Sequence, residues 1–324
     1  MKTSSEQSTC PALQRYSLNG ETMGTRYTAV FYAPEGSDTT AIGASLFAAV
    51  DQVDRQMSTW NPASDLCRIN AAPENTWIAA PRALLHVIET GLQVNLQSNG
   101  AFDMTVGDLV EAWGFGPSQR APSSRLAALQ ETTYRAATTT LDVDRARQQV
   151  RKRAPVTLDL SGIAKGYGVD QLAHCLDGWK INSYLVGIDG EMRARGCKPD
   201  GTVWTVGIEK PTYGTREVSG VMELEDTAIA TSGDYRHWVE IAGKRHAHTM
   251  NPRLRQPVSN RLAAVTVLAP SCMLADAWAT ALLVLGEDGI ALARDRGMDA
   301  LFVLRDGDRL KEVLITGVKL CDAR

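Results

Sequence analysis

The stretch SCMLADAWATALLVLG, from Ser271 to Gly286, constrains this chain more than any other. Ser271 suits a helix N-cap and Gly286 a C-terminal stop, so the segment between them reads as one helix. It is apolar almost all round, and a helix of that kind is stable only when other elements cover it. Asp276 is the lone charge in that field. A carboxylate buried without a cation or strong hydrogen bonds costs several kcal/mol, so a neutralising partner is expected. Thr280 follows four residues later on the same helix face. An oxygen pair at this spacing suits Mg²⁺, a hard cation that takes a carboxylate, neutral oxygens, waters and substrate phosphate. The same spacing also fits an exposed polar strip in which Thr280 bonds back to its own helix.

The elements around this helix alternate in kind. Over 16–32, YSLNGETMGTRYTAVFY alternates apolar and polar residues around a Met-Gly-Thr break, which predicts two strands with a glycine kink. Over 38–58, Ile42, Leu46, Val50, Val53 and Met57 recur at helical spacing, and a further helix is predicted from Pro81 to about Ser98, ahead of Asn99-Gly100. Strands are predicted over 156–160, 183–186, 204–208, 228–231, 238–241, 262–268 and near 301–304. Many short strands with clustered helices favour an α+β fold, with mixed, largely antiparallel sheets and packed helices, over a doubly wound parallel sheet. The polar stretch 118–154, with its charge run over 142–153, reads as a solvated surface excursion.

Composition excludes several classes. The chain has 324 residues, 44% hydrophobic and 22% charged, which excludes collagenous, disordered and coiled-coil proteins. Lys plus Arg total 34 against Asp plus Glu 37, a net charge of −3, so no nucleic-acid partner is expected. The cysteines at 10, 67, 175, 197, 272 and 321 show no metal-finger spacing and read as free thiols of a reducing compartment. Residues 1–15 read as a disordered polar tail without the apolar core of about 7–15 residues that a signal peptide needs, which places the chain in the cytoplasm as it stands. No stretch reaches the roughly 18 apolar residues of a membrane span.

Two further elements carry chemistry. The run LDLSGIAKGYG, from Leu158 to Gly168, spaces its glycines G-x-x-x-G-x-G, which suits a phosphate cradle with Lys165 beside it and suits equally a strand-to-helix turn whose glycines serve packing. His248, in HAHTMNPR, is either structural or an acid/base group, since imidazole titrates near neutrality.

Taken in order, TMGTRY, MSTWNPASDLCRIN, GAFDMTVGDLVEAWGFG, LDLSGIAKGYGVD, ATSGDYRHW, HTMNP and ADAWATALLVLG resemble the ApbE family of FAD:protein FMN transferases over about residues 16–305. The resemblance implies a single ApbE-like, T-fold-like domain over 16–324. It implies a Mg²⁺-dependent enzyme that takes FAD as substrate, places FMN on a Thr or Ser hydroxyl of a target flavoprotein through a phosphoester, and releases AMP. The target would carry a D-x-x-[ST]-G-A-[ST]-like motif and serve electron transfer. Position by position, Asp276 and Thr280 look like side-chain ligands of the metal, and Ala164 like a backbone-carbonyl ligand. Met23, Trp60, Ala101, Phe102, Asp103, Ser161, Lys165, Tyr167 and Met250 look like FAD contacts, and His248 like the general base. The physical reading agrees in kind, because a flavin needs apolar and aromatic faces and a diphosphate needs cations and N–H donors. Two alternatives use the same residues: an FAD pyrophosphatase, and a non-catalytic FAD carrier.

The chain departs from the family pattern in two turns. In LVGIDGEM, Gly187 stands where Asn is usual and Asp189 where a Gly is usual, which puts the turn's left-handed position in question. After the histidine, Asn251-Pro252-Arg253-Leu254-Arg255 lacks the usual Thr-Gly, which questions the loop's shape. Family members are usually exported and often lipid-anchored, unlike the reading of this N-terminus.

Overall fold

A computed structural model describes residues 12–117, 126–214, 216–241 and 243–317. Most of the polar tail, with Cys10, and the terminal Cys321 lie outside the described residues. An eight-stranded sheet runs in the order Leu13–Thr22, Thr25–Pro34, Tyr184–Ile188, Glu191–Arg195, Ala228–Gly233, Leu262–Ala269, Asp299–Asp306, Arg309–Ile315, and each neighbouring pair is antiparallel. The α+β expectation holds, and the antiparallel character is complete in this sheet.

Side-chain alternation explains the layers. Tyr27, Ala29, Phe31 and Ala33 share one face with Tyr184, Val186 and Ile188 of the next strand. That face is covered by the helices Thr39–Met57 and Ala164–Gly178 through Ile42, Leu46, Val50, Val169, Leu172 and Leu176. Val30, Tyr32 and Leu185, facing the other way, meet Trp204, Val206 and Ile208 of the hairpin formed by Trp204–Glu209 and Val218–Leu224. The apolar helix is Cys272–Leu285, capped by the Ser271 hydroxyl and ended by Gly286 at φ +66°. It packs against the helices Ala164–Gly178 and Arg82–Gln97 and the strands Ala228–Gly233 and Leu262–Ala269, the cover its sequence requires.

Three expectations are corrected. Residues 156–160 form no strand; the Asn70 side chain instead donates to the Leu158 carbonyl at 2.9 Å and accepts the Leu158 N–H at 2.8 Å. Second, the 118–154 region is not a solvated excursion. Leu141–Asp144 and Gln149–Lys152 form a three-stranded sheet with Ile78–Ala79, and Ala137, Leu141 and Val150 are buried in the main core. In this run Asp142 pairs with Arg151 and Arg153, while Lys152 is buried with its ammonium donating to the Asn70 carbonyl at 2.6 Å, so a polar run hid a half-buried sheet. Residues 118–125 lie outside the described set. Third, the first strand begins at Leu13, inside the stretch read as tail. Among the described residues Cys67, Cys175, Cys197 and Cys272 are free, and no helix is long and apolar enough to cross a membrane.

Candidate active site

The two elements singled out by sequence meet. Asp276 is 4% exposed, so the exposed-strip reading of the apolar helix fails. Its Oδ2 accepts the Gly166 backbone N–H at 3.0 Å, across the contact between the apolar helix and Ala164–Gly178. Gly166 makes that approach possible: a Cβ there would lie 2.3 Å from the Cys272 carbonyl oxygen and 2.8 Å from the Asp276 Cβ. The Thr280 hydroxyl does not bond back to its own helix but pairs with Ser232 Oγ at 3.1 Å. Gly162 of the glycine turn faces the same hydroxyl, and a Cβ there would sit 3.0 Å from Thr280 Oγ1 and 3.3 Å from the Phe102 ring. Thus Asp276, Thr280, Phe102 and the 162–166 turn converge. Asp170, further along the same helix, accepts the N–H groups of Cys272 and Met273 at 3.0 Å each and pairs with Arg193, which sets the axial position of the apolar helix.

Burial raises the Asp276 carboxyl above the ordinary carboxylate range, Glu191 raises it further, and Lys165 and the Gly166 amide pull the other way. The donor set fits a hard divalent cation. Asp276 supplies one carboxylate with a single amide donor on it and Thr280 a neutral hydroxyl, and Ala164 is the first residue of the helix whose Gly166 N–H reaches Asp276. No cluster of three or more His, Cys, Asp or Glu that could hold a metal exists among the described residues, so any metal here relies on this mixed oxygen set.

Sequence reasoning missed the groups that manage Lys165. Its ammonium lies 2.8 Å from Glu191 and 3.5 Å from Asp189. Burial disfavours the charge, but Glu191, Asp276 and Asp189 outweigh it, and the pKa of Lys165 stands above its ordinary value. Glu191 is 4% exposed and begins a strand that alternates poorly, EMRAR, so nothing in its local pattern announces a buried acid.

His248 lies just beyond the hairpin of Trp238–Ile241 and Lys244–Ala247. Its ring meets His237 edge-on at 5.5 Å and Phe115 at 6.4 Å. Nδ1 is 3.2 Å from the His237 carbonyl oxygen; a carbonyl only accepts, so Nδ1 carries the proton and Nε2 keeps its lone pair. Burial, then the charge of His237 and that of Lys165, push the imidazole down to about 4, leaving it neutral at physiological pH.

The remaining residues differ in role. Met23 holds φ +47°, and its methyl lies 3.1 Å from where a Cβ on Gly168 would be, against the helix of the glycine turn. Ala101 and Phe102 are buried, and Asp103 accepts hydrogen bonds from Asn95, Tyr134, the Ala137 N–H, and the Thr105 N–H and hydroxyl. With so many protein donors on it, the Asp103 carboxylate acts as the joint that fixes the 100–105 segment. Tyr167 is buried with its ring edge-on to His86 at 6.2 Å. Ser161 is exposed in the turn, its N–H on Asp159. Met250 is buried with Leu109 and Trp113. Trp60 stands apart at 55% exposed, its N–H on Ser58 Oγ. Asp234 braces its turn through Arg305 at 2.6 Å.

The ApbE family model matches residues 23–302, the span that carries every residue of this arrangement. The chain belongs to the ApbE family. It is 37% identical over 93% of its length to a Vibrio cholerae protein named FAD:protein FMN transferase, covering 91% of that protein. It is 33% identical over 91% of its length to the Escherichia coli K12 protein of the same name, covering 85% of it. The flavin transferase ApbE structure from Vibrio cholerae superposes with a TM-score of 0.84 at 35% identity, over 94% of this chain and 98% of that one. The apo flavinyl transferase ApbE of Pseudomonas stutzeri gives 0.83 at 35% identity, over 94% and 96%.

Within this ApbE fold the two unusual turns are built from other residues. Asp189 holds the left-handed position itself, at φ +56°, and its carboxylate reaches Lys165 and, at 3.3 Å, Arg236. Left out of the expected site, it belongs beside it. In the other turn the Asn251 side chain accepts the N–H groups of Arg253 and Leu254, and Arg255 takes φ +52°, so an Asx turn replaces Thr-Gly.

Proposed function

We propose that this chain is an FAD:protein FMN transferase that uses Mg²⁺, attaching FMN to a Thr or Ser hydroxyl of a target flavoprotein and releasing AMP. The observation that carries this reading is the convergence of Asp276, Thr280 and Phe102 on the 162–166 turn beside Lys165, in a chain whose relatives are named for that reaction. Phe102, Met23 and Met250 supply apolar faces for the flavin and adenine, the exposed Trp60 ring is free to close on them from outside, and Ser161 and Tyr167 flank the turn that receives the pyrophosphate. Lys165, held between Glu191 and Asp189, keeps its charge toward the phosphates. Asp276, the Thr280 hydroxyl and the Ala164 carbonyl would hold the metal, which when bound neutralises the pyrophosphate. The acceptor oxygen forms a bond to the FMN phosphorus while the bond from that phosphorus to the bridging oxygen breaks, its electron pair leaving with AMP. The hydroxyl proton passes to His248 Nε2, free because Nδ1 is engaged.

The test is intact-mass analysis of an acceptor domain bearing a D-x-x-[ST]-G-A-[ST] motif, incubated with the chain, FAD and Mg²⁺, with EDTA as control and AMP followed in parallel. A Mg²⁺-dependent FMN adduct is expected. Free FMN and AMP without adduct would replace this reading with a pyrophosphatase, and bound, intact FAD would replace it with a carrier.

A further inference from the structure

Beside the active site, one hairpin presents side chains that the chemistry above leaves unused. The Arg245 guanidinium carbon lies 4.4 Å from the centre of the Trp238 ring and 4.6 Å from that of Tyr213. Neighbouring arginines are answered by carboxylates: Arg236 by Asp189 and Glu209, Arg305 by Asp234. Arg245 makes no ion pair among the described residues, even though Glu240 stands opposite it in the ladder. Trp238 and Tyr213 are 38% and 36% exposed, and Lys244 beside the arginine is exposed as well. A guanidinium steadied by two half-exposed rings, with no carboxylate on it, is a pre-ordered donor fork for an incoming anion. Arginine with tryptophan and tyrosine is also the residue set that dominates protein interfaces.

Position ties this cluster to the reaction. His237, next to Trp238, packs edge-on against His248, and His246, next to Arg245, packs on Trp113 at 5.0 Å. A protein that delivers a hydroxyl to His248 therefore comes against this hairpin. Lys244 alternates to the other face of the hairpin, and the Tyr213 ring is shared with Arg305 at 4.8 Å while its hydroxyl donates to Asp234 at 3.3 Å, so the cation this face offers to an acidic group is Arg245, which makes no ion pair with its cross-strand partner Glu240. We propose that the Tyr213–Arg245–Trp238 cluster is the docking point for an acidic segment of the acceptor protein. The proposal rests on the transferase reading of the site.

Arg245→Ala and Arg245→Lys, made in the full chain, test it. FMN transfer is followed by intact mass over a range of acceptor concentrations at saturating FAD. FAD affinity is read from flavin fluorescence, and acceptor binding without FAD from biolayer interferometry. Arg245→Ala is expected to raise the acceptor KM and Kd about tenfold or more, to flatten the salt dependence of KM, and to change kcat and FAD affinity less than about twofold. Arg245→Lys, which keeps the charge and loses the planar fork, falls between, and it decides the matter if the alanine variant melts early. An unchanged acceptor KM overturns the proposal, and so does a loss of FAD affinity, which would assign the arginine to the flavin site. Arg245-dependent binding with no FMN transfer by the wild type leaves the docking point standing and removes the transferase reading. Transfer with unchanged KM does the reverse.

Discussion

At the scale of single residues the site holds charges that folding alone would not choose. Asp276 is buried, and its carboxyl sits above the ordinary range because burial and Glu191 outweigh Lys165 and the Gly166 amide. The charged form therefore opposes folding until a cation joins it. Asp276→Asn keeps an oxygen for the Gly166 N–H and removes the charge. Its turnover is expected to fall by about 10²-fold or more, the loss of several kcal/mol of metal-assisted stabilisation. Its Tm in EDTA should equal or exceed that of the wild type, and Mg²⁺ should raise Tm in the wild type only, by calorimetry. His248 carries the opposite kind of information. Its folded pKa, about 4, lies below the unfolded value near 6.5, so between those pH values the unfolded chain binds the extra proton. Stability from this group is complete above about pH 6.5 and is lost as pH falls toward 4, at up to about 1.4 kcal/mol per pH unit. Urea denaturation of the wild type and His248→Gln at pH 7 and pH 4.5 should show the smaller pH dependence in the variant. In kcat/KM the acid limb due to this base should lie below pH 5, not near 6.5.

Between elements, what matters is how closely two helices approach. The Gly166 backbone N–H reaches Asp276 only because no side chain separates the helix Ala164–Gly178 from Cys272–Leu285. Gly166→Ala drives a Cβ against the Cys272 carbonyl, which cannot swing aside as a side-chain end can. The variant should lose about 1–3 kcal/mol of stability and most of its turnover even where it remains folded, measured by urea denaturation and by FMN transfer. Gly178 ends the same helix with nothing within 4 Å of a Cβ, so Gly178→Ala should be neutral or slightly stabilising, which controls for helix propensity. Asp170 completes the alignment by accepting the first N–H groups of the apolar helix from its neighbour. The helices were legible because their apolar spacing is local: 38–58, 81–98 and 271–286 correspond to Thr39–Met57, Arg82–Gln97 and Cys272–Leu285. Arg309–Ile315 was not read as a strand, because it is an outer strand with Lys311 and Glu312 exposed and shows little alternation.

For the whole molecule, a sheet covered by helices on one face and a hairpin on the other brings together residues as far apart in sequence as Met23, Phe102, Lys165, Ser232 and Thr280. The ordered motifs carried the family, and the lone aspartate of an apolar helix pointed to a buried carboxylate, because both are properties of contiguous chain. Glu191 and Arg236 escaped notice, and Asp189 was noticed only as an unusual turn residue, since each gains its meaning from a partner 24 to 47 residues away. The sequence by itself determined the helices over 38–58, 81–98 and 271–286 but not the shorter Asp65–Ala71 or Glu287–Asp295, and it determined that Cys272–Leu285 lies inside, that Asp276 needs a partner, and which family the chain joins. Only the tertiary structure decided that Thr280 pairs with Ser232, that Gly166 closes the helix contact, that the charge run over 142–153 backs a buried sheet, and that Nδ1 of His248 sits on the His237 carbonyl. The division is physical: periodicity and capping act over a few residues of chain, whereas desolvation, charge pairing and close approach depend on which distant residues the fold sets side by side.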